Sequence, residues 1–392
     1  MHRVSTDRRR GVALVVLTAV AVGYLNADYA PLIPLLSTDL GLDDLRAGLL
    51  ATGLSIVYLI GTLLTTGLAD RVGPKPIIAL GLGVAALGAA TFGASPGFPV
   101  ALLAKGIEGL GTALTFVAGA RYIAGLYGAS RSHVALGLYG GGYPLGGAIA
   151  LALMPALAQL FASWRPAFLV EGALMVIVLA LWLTTPAVAS VRRSGSIRDA
   201  LRCGNCWLAG LQHVGFGLVA ASGTWIALFL VRDFGLTLVA SGVLGALLLI
   251  VTTVARPIGG WLVASRRVRT RLVMGLSNVL LIAGVIVLAL PGRPLLAALV
   301  GAAVLGIGGG LPYAAVFNTA AASVPRAPAA GQGMPVMIGS LTILTVAPAM
   351  GYAVQQYGFS AAWTLVGAAA FLALLGSAVM RGEEELAALS LR

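Results

Sequence analysis

Long apolar runs separated by short charged turns fill the whole chain. Ala47 to Leu68 contains no charged residue, and neither does Ile77 to Ala104. A helix needs about 20 apolar residues to cross the hydrocarbon core of a bilayer. Runs of that kind occur at 11–36, 47–68, 77–95, 98–125, 133–159, 165–185, 206–231, 238–264, 271–290, 294–323, 329–355 and 360–380. They predict an all-α, polytopic membrane protein with twelve transmembrane helices, because helices satisfy every backbone group inside lipid. An even number of spans returns both termini to one side. The run after Arg8-Arg9-Arg10 is longer than the about 7–15 residues of a signal-peptide core, so it is expected to remain as the first span.

The one long polar connector, Ala187 to Asn205, is rich in Arg and Ser and lies near the middle of the chain. It predicts two six-helix bundles, 1–186 and 206–392, joined by a cytoplasmic linker at 187–205. An internal repeat agrees with that division. A shift of about 193 residues brings Gly67-Leu68-Ala69 onto Gly260-Trp261-Leu262. Similar offsets bring Gly109-Leu110-Gly111 onto Gly306-Ile307-Gly308, and Gly140-Gly141-Gly142-Tyr143-Pro144 onto Gly331-Gln332-Gly333-Met334-Pro335. Most of the 53 glycines are read as packing positions, since small residues let helices approach closely in lipid.

Composition and charge narrow the functional classes. The 392 residues are 59% hydrophobic and 10% charged, against about 25% charged in a soluble domain. Mean hydropathy is +0.98. The net charge of +12 does not indicate nucleic acid, because aromatic-interleaved basic patches are absent and most of the arginines sit in loops. Arg71 and Lys75, Arg131, Arg192, Arg193, Arg198 and Arg202, Arg266, Arg267, Arg269 and Arg271, and Arg326 all fall on the side of the Arg-rich N-terminus. Arg46, Arg165, Arg232 and Arg293 fall opposite. This asymmetry predicts cytoplasmic termini and residence in a cytoplasmic (inner) membrane. Cys203 and Cys206 are expected to be reduced thiols, so neither a metal nor another cofactor is expected. Catalytic, phosphate-binding and nucleotide-binding motifs are missing, which argues against an enzyme or an ATP-driven pump.

Ionisable groups inside spans are expensive and therefore informative. Arg256 lies well inside the eighth apolar run, in Thr252-Thr253-Val254-Ala255-Arg256-Pro257-Ile258-Gly259-Gly260. A guanidinium stays charged there and matches planar oxyanions, which makes it the candidate anion ligand; pairing with a carboxylate or snorkelling is the alternative. Lys105 and Glu108 stand three residues apart on one face of the fourth span and can pair. Asp28, beside Asn26 and Tyr29 in the first span, could carry a proton as an isolated carboxylate in low dielectric. An aqueous-facing Asp28 is equally compatible with the sequence. Glu171, with Arg165 near it in sequence, is a lesser candidate. Asn26, Tyr143 and Asn318 are candidate hydrogen-bonders to a substrate.

The turn Gly67-Leu68-Ala69-Asp70-Arg71-Val72-Gly73-Pro74-Lys75-Pro76 resembles the G-x-L-A-D-R-x-G-x-K/R-x signature of the major facilitator superfamily of secondary transporters. The resemblance implies alternating access, with Gly67, Asp70, Arg71, Gly73 and Lys75 forming a gating loop. Lys105-Gly106-Ile107-Glu108-Gly109-Leu110-Gly111 resembles the family's R-x-x-Q-G-x-G segment, which implies a proton-coupling role for Lys105 and Glu108. A monomeric carrier in the lipid bilayer follows, with a small-molecule substrate and protons or a counter-solute as partners.

Arg256-Pro257-Ile258-Gly259-Gly260 is similar to the corresponding segment of nitrate/nitrite porters, with cyanate-permease-like members as further relatives, and implies a small anion as cargo. Leu63 stands where those porters carry a second arginine, which points to a monoanion other than nitrate. Gly137 through Gly147, with Tyr143-Pro144, also resembles the antiporter motif of drug/proton exporters, implying the alternative of hydrophobic cargo.

Overall fold

The computed structural model describes residues 2–127, 133–188, 197–265 and 268–390. Arg131, Arg192, Arg193, Arg266 and Arg267 of the predicted cytoplasmic loops lie outside the described residues, as do the side chains of Gly67 and Asp70. The described residues are helical throughout their regular structure and contain no strand. The elements begin with α1 (His2–Tyr24), α2 (Ile33–Leu40), α3 (Asp44–Val72), α4 (Pro74–Gly93), α5 (Phe98–Tyr127), α6 (His133–Leu160) and α7 (Arg165–Leu183). They continue with α8 (Ile197–Arg202), α9 (Gly204–Gln212), α10 (Val214–Phe234), α11 (Leu238–Ala264), α12 (Thr270–Ala289) and α13 (Leu295–Gly310). The last are α14 (Tyr313–Ser323), α15 (Pro328–Tyr357), α16 (Phe359–Val379) and α17 (Glu383–Ser390). Eleven helical stretches are long and apolar enough to cross a membrane, and a shorter apolar helix covers Ala30–Leu40.

Three predicted spans are interrupted. The first, expected to run unbroken over 11–36, stops at Tyr24, turns through residues 25–29 and resumes as a 3-10 turn at Ala30–Leu32 followed by α2. Pro31 and Pro34 explain the break, since neither has the N–H that would bond the carbonyl four residues earlier. The seventh span tightens at His213, whose N–H donates to the Gly210 carbonyl at 2.8 Å, an i to i−3 bond. The tenth breaks between Gly310 and Tyr313, where Pro312 again lacks a donor. The predicted linker contains a short helix of its own, α8.

Two compact units are distinguished. One comprises Met1–Arg192 with Thr224–Ala246, the other Arg193–Gly223 with Leu247–Arg392. In each, glycine makes the same crossings. A carbon added at Gly109 would stand 2.2 Å from the Leu54 carbonyl oxygen, and one at Gly306 would stand 2.4 Å from that of Leu248. Gly111 meets Gly81 and Ala85 as Gly308 meets Ser277 and Leu281, each at 2.7 Å. The pairs Gly109/Gly306 and Gly111/Gly308 are therefore places where two helix backbones touch with no side chain between them, whereas Gly260 meets only the Ala314 side chain and Gly333 has open space beside it.

The turn between α3 and α4 is built on Gly73, at φ +84°, followed by Pro74 at the first position of α4. Lys75 then reaches the end of α7, donating to the carbonyls of Leu183 at 2.9 Å and Thr185 at 2.6 Å. Trp182 donates back to the Lys75 carbonyl at 3.0 Å. A cation at a helix C-terminus satisfies its orphan carbonyls and its dipole. Arg71 is exposed. Elsewhere in this unit Arg232 grips Asp44 at the start of α3 with two bonds, 2.6 and 2.8 Å long.

If the glycine crossings carry the packing, Gly109→Ala and Gly306→Ala will each lower the unfolding temperature of the detergent-solubilised protein by several degrees. Gly83→Ala, which enters open space, will leave it unchanged. Equal melting of all three variants would refute the assignment.

Candidate functional site

The break in the first span places Asp28 on an irregular segment facing α5. Lys105, on α5, donates to both oxygens of Asp28, the Oδ2 contact being 2.6 Å, and to Glu108 Oε2 at 2.5 Å. It also reaches the Leu25 carbonyl, left open by the turn, at 3.3 Å. The Tyr29 N–H donates to Asp28 Oδ1 at 2.6 Å. Lys105, Asp28, Glu108 and Glu171 are all 0% exposed. Gly88 of α4 makes room for Glu108: a carbon added there would lie 2.6 Å from its Cγ. Three ring faces complete the surroundings of the ammonium, Phe92 at 4.9 Å, Tyr29 at 5.0 Å and Phe168 at 5.8 Å.

Asp28 is thus neither isolated nor open to water. It is bound to Lys105, and the expected pair of Lys105 with Glu108 is one side of a larger cluster drawn from the broken span, α5 and α7. The sequence neighbour of Glu171, Arg165, turns elsewhere: it pairs with Asp39 at 2.8 Å and donates to the carbonyls of Ser95 and Gly93 at the end of α4. Tyr143, on α6, packs edge-on against Phe116 at 5.1 Å. Asn26 is half-buried in the turn that presents Asp28.

In the second unit, Arg256 sits on α11 and is 3% exposed. Its guanidinium carbon lies 4.3 Å from the centre of the Tyr313 ring and 5.1 Å from that of Phe216. His213 extends the cluster, stacked on Phe216 at 4.9 Å and edge-on to Phe317 at 5.1 Å. Tyr313 and Phe317 touch at 4.9 Å. The interruptions at His213 and Pro312 frame this group, since His213 and Phe216 flank one break while Tyr313 and Phe317 follow the other. Asn318 is half-buried on α14, next to Phe317 in the chain. Ring faces favour a cation, and the edge of a guanidinium carries five N–H donors in one plane.

Cys206 is buried and its thiol faces the Ala320 carbonyl; Cys203 faces that of Ser323, and both are free thiols.

Removing Lys105 would leave three buried carboxyls without their cation. Lys105→Met is expected to destabilise the protein by about 3–5 kcal/mol, the range for an orphaned buried charge. Combining it with Asp28→Asn should restore part of the loss. Thermal unfolding in one detergent checks both, and a double variant no better than the single one would refute the coupling.

Comparison with known proteins agrees with this architecture. The family model described as Major Facilitator Superfamily matches residues 12–334. A protein of Chlamydia muridarum (strain MoPn / Nigg), named a probable hexose phosphate transport protein, is 27% identical over 145 residues, 37% of this chain. That alignment spans 32% of the relative's own length. Among solved structures, a bacterial homologue of the human lysosomal transporter Spinster superposes with a TM-score of 0.73 at 18% identity, covering 95% of each chain. The nucleoside transporter NupG superposes with a TM-score of 0.75 at 15% identity, covering 95% of this chain and 99% of its own. At these identities the superpositions speak for the fold. With a helical membrane architecture and a family match over most of its length, the chain belongs to the major facilitator superfamily of transporters.

Proposed function

We propose that this transporter moves a small anion across the cytoplasmic membrane by alternating access, coupled to protons. The observation that carries the anion reading is Arg256, a permanent cation on an apolar helix, 3% exposed and faced by the rings of Phe216 and Tyr313. Its planar donors suit carboxylates and related oxyanions. The name of the matched Chlamydia protein, which specifies a hexose phosphate, supports an anionic cargo in this part of the superfamily. Tyr143, Asn26 and Asn318 are assigned as further hydrogen-bonders to the substrate. We assign proton coupling to Asp28, Lys105 and Glu108, where carboxyls and an ammonium meet away from water.

The gating loop is assigned to Gly67, Asp70, Arg71, Gly73 and Lys75, and the moving halves to 1–186 and 206–392, joined by 187–205. Lys75 contributes by tying this loop to the end of α7. The excess of arginines on the N-terminal side supports cytoplasmic termini. The carrier is assigned as a monomer.

Proteoliposomes loaded with formate, acetate, cyanate, nitrite or nitrate test the reading by counterflow. One of these anions, or a larger carboxylate or phosphorylated sugar in the same panel, is expected to exchange. Arg256→Ala should weaken its apparent affinity by ~10- to 100-fold, the effect of removing charge-assisted hydrogen bonds. Arg256→Lys should retain part of the affinity. Proton-driven extrusion of a cationic dye, with no anion movement, would overturn the anion assignment in favour of drug/proton antiport.

A further inference from the structure

Within the buried cluster, Glu171 differs from the other two acids. Asp28 receives hydrogen bonds from Lys105 and from the Tyr29 N–H, and Glu108 receives one from Lys105. Neither oxygen of Glu171 accepts a hydrogen bond from a donor among the described residues. It stands one helical turn from Phe168, whose ring faces the Lys105 ammonium at 5.8 Å, and this brings its carboxyl into the same enclosure as that of Asp28, which it meets as an interacting neighbour. Two ionised carboxylates have only acceptor atoms to offer each other, so contact between them requires a hydrogen. Charge balance leads to the same place. Three carboxylates and one ammonium sum to two negative charges, in surroundings that are 0% exposed and formed otherwise by Phe92, Phe168 and Tyr29. Uncompensated charge of that size is not sustained away from water, and one bound proton halves it.

We propose that Asp28 and Glu171 form a carboxyl pair that shares one proton, and that Glu171 is the member that releases it. Asp28 is the fixed acceptor, anchored by Lys105 and the Tyr29 N–H, while Glu171 is attached to the cluster through the proton alone. When a water molecule reaching the pair takes the proton and carries it off as hydronium, two like charges are left in contact and separate, moving α7 away from the broken segment of the first span. When it returns, the contact closes again. The titratable and charged groups facing Glu171 are Asp28 and Tyr24 from the first span and Glu108 and Lys105 from α5. Lys105 is the sole cation among them and is already bonded to two acids.

This inference rests on reading the cluster as the coupling site, and a measurement that needs no transport separates the two. Infrared difference spectra of the purified full chain in lipid, recorded in H2O and D2O near neutral pH, report the carbonyl stretch of a protonated carboxylic acid. The wild type should show one deuterium-sensitive band of this kind. Glu171→Gln, which keeps a donor towards Asp28, should abolish it, and Glu108→Gln should keep it. Glu171→Asp, which retains the acid on a shorter side chain, should show the band displaced and guards against loss of fold in the glutamine variant. In proteoliposomes Glu171→Gln should retain counterflow and lose accumulation driven by a pH gradient. No band in the wild type, or a band that survives in Glu171→Gln, would overturn the shared proton. So would a cluster that responds to sodium ions and shows no protonated acid. A band that behaves as expected, in a carrier whose accumulation ignores the pH gradient, would leave the carboxyl pair standing and refute proton coupling.

Discussion

An ammonium group removed from water must be surrounded by acceptors, and in the first unit that requirement falls on Lys105. Its partners come from separate stretches of chain, so Asp28 on the broken first span, Glu108 on α5 and the rings of Phe92 and Phe168 all have to converge. The irregular segment between Tyr24 and Ala30 follows from the same need. A continuous helix would have used the Leu25 carbonyl in its own ladder, whereas the break leaves it free to accept from Lys105. Pro31 and Pro34 make that break inexpensive, because they remove donors the helix would otherwise have had to satisfy.

The second unit is organised around a cation of a different kind. The guanidinium of Arg256 is set against aromatic faces, and the rings come from segments that are themselves interrupted, at His213 and at Pro312. Lysine among carboxylates and arginine among aromatics are suited to different tasks. Carboxyls beside an ammonium are groups between which a proton can pass, whereas a guanidinium is a fixed planar donor set that keeps its charge at any physiological pH.

Much of the fold was legible from composition. Eleven of the apolar runs correspond to spans within a few residues, since a bilayer leaves little choice about length, and the Gly109–Gly111 and Gly306–Gly308 block of the glycine repeat marks helix crossings. The interruptions were less legible, although Pro31, Pro34 and Pro312 were each a signal: hydropathy averages over a break of a few residues. The cluster at Lys105 was half legible. Its spacing from Glu108 lay along one helix face, whereas Asp28 and Glu171 join through tertiary contacts that no local pattern encodes. Phe92 and Phe168 gave no sign at all, being indistinguishable in sequence from the other aromatics of the apolar runs.

The crossings at Gly109 and Gly306 are contacts made by absent side chains, and such contacts place no chemical demand on the residues beside them. Architecture and chemistry are thereby uncoupled within each unit. One copy of the repeat can hold an acid and lysine cluster, and the other a guanidinium, on frameworks that close in the same way. A carrier built on this plan could change its cargo by exchanging a few side chains, without renegotiating how its helices meet.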